Sequence, residues 1–180
     1  MSRSDGARPG FLVVSLDSDG TYVGGLMVTD VYGLPLDFRY TDPITPTRLQ
    51  RALYGGALDR YLRADVVART LLGAVSEPPT ALLLDDERLL GAVRAECPVG
   101  AVIRTNLPPV GERGTIGGDQ EDGAFLVQTV HGDPPLRVIV EGEAGSLPQT
   151  IADLGESMDP TEPMQRVRAA LELIAAGEAA

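Results

Sequence analysis

The apolar run Phe11 to Leu16 has the length of a buried strand, and it stops at Asp17-Ser18-Asp19-Gly20, where short polar side chains and a glycine make a turn. Thr21 to Thr29 returns as a second strand, with Gly24-Gly25 inside it marking a bulge or a close backbone approach. Asp30 to Pro35 turns again, and Leu36 to Tyr40 alternates apolar and charged positions as a third strand does. Three strands with short connections predict an antiparallel meander.

The period then changes. Pro43 and Pro46 hold the chain extended, Thr45 or Thr47 can cap a helix, and Leu49, Leu53, Leu58, Leu62, Val66 and Leu72 recur at near-helical spacing. Gly55-Gly56 either separates two helices or marks tight packing against another backbone, because each glycine costs roughly 1 kcal/mol relative to alanine in a helix interior. Beyond Glu77-Pro78-Pro79, Ala81 to Leu84 is a short buried strand, Glu87 to Glu96 reads as a short helix and Val99 to Arg104 as a strand. Strand, helix, strand at this spacing is a βαβ unit with parallel pairing.

Residues 107–123 shift to Pro, Gly, Asp and Glu and read as a mobile acidic loop. Phe125 to Val130 and Leu136 to Val140 form a hairpin, and residues 142–157 show at most one helical turn. In the last helix Asp159 is the expected cap and Pro160 the first helical residue, after which Met164, Val167, Leu171 and Ile174 fall on one stripe. The prediction is a single three-layer α/β domain over residues 11–176 with a mixed sheet, antiparallel at the start and parallel in the middle. Residues 1–10 and 177–180 are expected to be disordered.

Composition narrows the chemistry. A single Cys97 and a single His131 leave no Cys/His set for zinc or haem, so any metal must be held by oxygen. Every basic residue is Arg. Residues 1–75 carry eight Arg and eight Asp, whereas residues 76–180 carry seven Arg against seven Asp and eleven Glu, which places the whole net charge of −11 in the second part. That charge argues against independent nucleic-acid binding and for a protein partner or self-association. No apolar run approaches a membrane span, and the polar first ten residues predict a cytoplasmic location.

Over residues 11–105 the order of elements resembles the ribonuclease-H-like superfamily of nucleases, recombinases and ATPases. The resemblance implies an acidic residue on the first strand and another at the end of the fourth, holding divalent metal. Asp17 or Asp19 matches the first position and Asp85 or Asp86 the second, so that Asp17 and Asp85 would hold Mg²⁺ for in-line phosphoryl transfer. The long helix has no Glu where such nucleases usually contribute one. This reading needs the first strand beside 81–84, parallel to it, with the carboxylates within about 10 Å of one another.

The lopsided charge and the lack of a complete catalytic set lead instead to the expectation of a non-catalytic accessory or protein-interaction subunit of a cytoplasmic bacterial assembly, needing no cofactor. Its interaction surfaces would be Arg48, Arg51, Arg60 and Arg63 on the long helix, and Met164, Val167 and Leu171 on the last. The divalent-metal nuclease or phosphotransferase is the alternative.

Overall fold

Alternation along the first strand sends Phe11 and Val13 into one core and Leu12 and Val14 into another, so this strand is covered on both faces. In the computed structural model, which describes residues 6–118 and 123–178, β1 (Pro9–Leu16) pairs antiparallel with β2 (Tyr22–Thr29), and β2 with β3 (Pro35–Tyr40). The expected meander is present. Gly24 and Gly25 are there for close approach: a Cβ on Gly24 would run into Val67, and one on Gly25 would lie 2.8 Å from Val167 Cγ1. Helices therefore press on β2 from both sides.

Thr47 caps α1 (Arg48–Tyr54), accepting from the Gln50 amide while the Gln50 side chain accepts from the Thr47 amide. The glycine pair then breaks the helix as a tight 3₁₀ turn, Gly55–Ala57. The chain continues through α2 (Leu58–Arg60), a π-helical stretch Tyr61–Ala68 and α3 (Arg69–Ala74). No residue of α1 is buried, whereas Leu58, Leu62, Val67, Ala68 and Leu71 pack on Leu12, Leu26 and Leu82.

β4 (Ala81–Leu84) lies beside β1 and parallel to it, and β5 (Val99–Arg104) lies parallel beside β4. The helix expected over residues 87–96 does not form beyond one 3₁₀ turn, Glu87–Leu89. Gly91 interrupts it at φ +70, with the Glu141 side chain packed where a Cβ would stand. Leu89 and Val93 are buried on the α2–α3 face, which accounts for the helix-like spacing in the sequence.

The expected loop over residues 107–123 contains β6 (Ile116–Gly117), which pairs with β7 (Ala124–Val127); residues 119–122 lie outside the described part. β7 pairs with β8 (Leu136–Val140) and β8 with β5, all antiparallel. Among the described residues the sheet has eight strands in the order β3-β2-β1-β4-β5-β8-β7-β6. A helix absent from the expectation, α4 (Leu147–Leu154), covers β6 and β7 and buries Leu147, Ile151 and Leu154.

α5 (Glu162–Ala175) crosses β1 and β2 on the face opposite α2–α3. It begins later than expected, with Thr161 at the cap position and Pro163 in its first turn. Asp159 holds the turn before it, accepting from the Thr161 amide and hydroxyl and from Arg104. The result is one α/β domain in three layers, with a core on each face of the sheet. Among the described residues no helix is long and apolar enough to cross a membrane.

Candidate functional site

Because β1 and β4 are parallel neighbours, their carboxyl ends share one edge of the sheet, and the four candidate aspartates lie along it. They do not meet in one place. Leu12 pairs with Leu84, which sets Asp85 level with Val13. Asp17 lies four residues further on, roughly 13 Å along the strand direction at about 3.3 Å per residue. Its carboxylate accepts from the amides of Asp19 and Thr21, closing the turn of the first hairpin, and Asp19 is exposed on that turn.

Asp85 and Asp86 diverge as consecutive residues leaving a strand must. Asp85 pairs with Arg168 of α5 on one face. Asp86 caps the 3₁₀ turn by accepting from the Arg88 amide, and takes the Arg88 guanidinium at 2.7 Å. Burial raises Asp85 above the ordinary carboxylate range, with Arg168 opposing, whereas the bonds from Arg88 hold Asp86 below it. The two carboxylates thus differ in environment as well as direction.

The centre of the edge belongs to Arg63, which the sequence suggested was part of an exposed surface. It is 7% exposed. Its Nη1 donates to the Val14 carbonyl of β1 at 2.7 Å, its Nε donates to Asp59 at 2.9 Å, and its guanidinium lies 5.5 Å from the centre of the Tyr22 ring. The Tyr22 hydroxyl donates to the same Asp59 oxygen at 3.0 Å. Burial and then Asp59 raise the Tyr22 phenol above its ordinary value, so it stays protonated and can donate. The Arg63 charge also acts on both Asp85 and Asp86.

Sequence reasoning missed Asp59, Tyr22, Arg88 and Arg168. Asp59 had a signal, its i, i+4 spacing to Arg63; Arg168 had none, since its partner lies 83 positions away. Of the proposed interaction residues, Arg48, Arg51 and Arg60 are exposed and Arg63 is not. Met164, Val167 and Leu171 are at most 3% exposed and belong to the core under α5, so they offer no surface to a partner.

Solved structures supply the frame for this edge. Endonuclease V from Streptomyces avermitilis superposes with a TM-score of 0.63 at 18% identity, over 97% of this chain and 83% of that one. Human endonuclease V gives 0.59 at 14% identity, over 99% and 89%. The fold is that of endonuclease V. The Ciona intestinalis endonuclease V in complex with a 24mer DNA containing an inosine followed by a ribo-adenosine gives 0.56 at 13% identity, over 93% and 87%. No protein-family model matches the chain, and no curated protein matches it in sequence.

An endonuclease V fold over nearly the whole chain corrects the expectation of a non-catalytic accessory or protein-interaction subunit for which nucleic acid is an improbable ligand. Net charge is a property of the whole surface and a nucleic-acid site is local, so the composition argument does not exclude one. The nuclease resemblance extends well beyond residues 11–105. The divalent metal that it implies finds no ready ligand set: among the described residues no group of three or more His, Cys, Asp or Glu side chains could hold an ion. Asp59, Asp85 and Asp86 are each already paired with an arginine.

Proposed function

We propose that the chain works on nucleic acid, holding a strand along the carboxyl edge of β1 and β4 and the exposed flank of α1. The observation that carries this reading is the continuity of the fold with endonuclease V crystallised on DNA, over 93% of the chain. The local chemistry agrees. Arg48 and Arg60 are exposed and without an ion pair among the described residues, and Arg51 reaches the Gly20 carbonyl in the turn after β1. Tyr54 is exposed on α1 with Arg48 and Arg51, stacked on Tyr61 with ring centres 4.6 Å apart. Guanidinium groups beside aromatic faces suit a phosphate backbone and its bases.

Binding of fluorescent single-stranded and duplex DNA and RNA oligonucleotides, followed by anisotropy across a salt series, tests the reading. A saturable complex whose affinity falls with salt, and falls further in the Arg48→Ala/Arg60→Ala double variant, is the expected result. Anisotropy that stays flat for every oligonucleotide would remove it.

A second reading, a divalent-metal nuclease or phosphotransferase, is favoured by the same fold and by the position of Asp85 and Asp86 at the end of β4. In that reading Asp85 or Asp86 would hold Mg²⁺ together with the phosphodiester oxygens of the substrate, since Asp17 and Asp19 lie too far along the strand to share the ion, and the metal would polarise the phosphodiester and activate water. Incubating labelled oligonucleotides with Mg²⁺ or Mn²⁺ decides it: cleavage that EDTA stops and that Asp85→Asn or Asp86→Asn abolishes would establish this second reading.

A further inference from the structure

Where the long helical segment crosses the end of β1, the side chain that bonds to the strand backbone is a cation, Arg63. The ribonuclease-H-like resemblance puts an acid on this helix to complete a metal centre. Here Arg63 is buried, donates to Val14 at the level where Asp86 leaves β4, and shares Asp59 with Tyr22. We infer that the Arg63 guanidinium permanently occupies the cation position of this fold, so that the edge presents a fixed organic charge and takes no divalent ion.

Charge and geometry lead to this together. A divalent ion needs several anionic oxygens converging on one point, with their other lone pairs held in place. At this edge Asp59 is turned to Arg63 and Tyr22, Asp86 to Arg88 and Asp85 to Arg168. An incoming Mg²⁺ would have to displace three guanidinium groups, one of them buried and anchored on a strand carbonyl, and would sit against their charge. A planar guanidinium bonded into the fold cannot dissociate as a hydrated ion does. The edge therefore carries its countercharge within the fold, and a bound strand meets it without a metal bridge.

This inference rests on the nucleic-acid reading for its ligand but not for its test. Mn²⁺ titration of the full chain, followed by the electron paramagnetic signal of the free ion, should match a buffer control, and Asp85→Asn and Asp86→Asn should leave it unchanged. Arg63→Glu should create a saturable Mn²⁺ site, read as a loss of free-ion signal that the unmutated chain does not show. Should that variant fail to fold, Arg63→Gln removes the charge with less disturbance, and the titration of the unmutated chain needs no variant. In parallel, oligonucleotide affinity measured with EDTA and with Mg²⁺ at matched ionic strength should be equal. A saturable Mn²⁺ site in the unmutated chain that Asp85→Asn or Asp86→Asn abolishes would overturn the inference. Absence of any oligonucleotide complex would sink the nucleic-acid reading and leave the Mn²⁺ result to decide this one.

Discussion

Two glycines and two aspartates carry information that their residue types conceal. Gly24 lets Val67 of the π-helical stretch lie directly on β2, so Gly24→Ala forces the helix outward or the strand inward. Overpacking of this kind costs about 1–3 kcal/mol, and at about 2–4 °C per kcal/mol for a chain of this size the thermal midpoint should fall by several degrees. Gly56→Ala, where a Cβ meets nothing, should cost far less in the same calorimetric scan. Asp85 and Asp86 should respond to acid in opposite senses. Asp86 is held below its ordinary value of about 3.9, so its contribution is complete above that pH and is lost as the pH falls through the lowered value. Asp85 is raised by burial, so its favourable contribution exists below about 3.9 and disappears as the pH rises through the raised value. Thermal midpoints from acid to neutral pH should show Asp85→Asn gaining on the unmutated chain as the pH rises, and Asp86→Asn losing ground over the same change.

At the scale of elements, the stripe Met164, Val167 and Leu171 decides between a docking helix and a core helix. It is core, so Leu171→Ala should cost about 2–5 kcal/mol, whereas Leu49→Gln on the wholly exposed α1 should stay within about 0.5 kcal/mol. Urea unfolding of the two variants measures both. The same contrast explains which elements were legible from sequence. β1, β2, β3, β4, β5 and α5 announce themselves through period and turn residues, because burial on a sheet face or helix stripe repeats at fixed spacing. α4 had its own signal, Pro148 in the first turn and Leu147, Ile151 and Leu154 at helical spacing, but its loop-like flanks masked it. The failed helix over residues 87–96 is the converse: Leu89 and Val93 mimic a helical face while Gly91 turns the backbone left-handed. At the site, the positions of Asp85 and Asp86 at a strand end were legible and the burial of Arg63 was not. The π-helical stretch widens the turn and brings Leu62, Arg63, Ala64, Val67 and Ala68 inward together, a rotation that a 3.6-residue period cannot anticipate.

For the whole molecule, the charge asymmetry and the sheet pull in different directions. Residues 76–180 hold the entire net charge of −11, yet β4 from that part pairs directly with β1 in one sheet, so the acidic part is bound into the same cooperative unit as the arginine-bearing edge. Self-repulsion of that part weakens the folded state at low ionic strength, and added salt relieves it as the Debye length drops from about 30 Å at 0.01 M to about 3 Å at 1 M. A strand held by Arg48, Arg51 and Arg60 feels the opposite effect, losing affinity with a log–log slope of about −0.7 per phosphate contact on a single strand. Raising NaCl across this range should therefore lift the thermal midpoint of the free chain while weakening its oligonucleotide complex. Removing Arg48 and Arg60 should flatten the binding slope and leave the salt-induced rise in stability in place, since both side chains lie outside the core. A midpoint and an affinity that moved in the same direction would overturn this expectation.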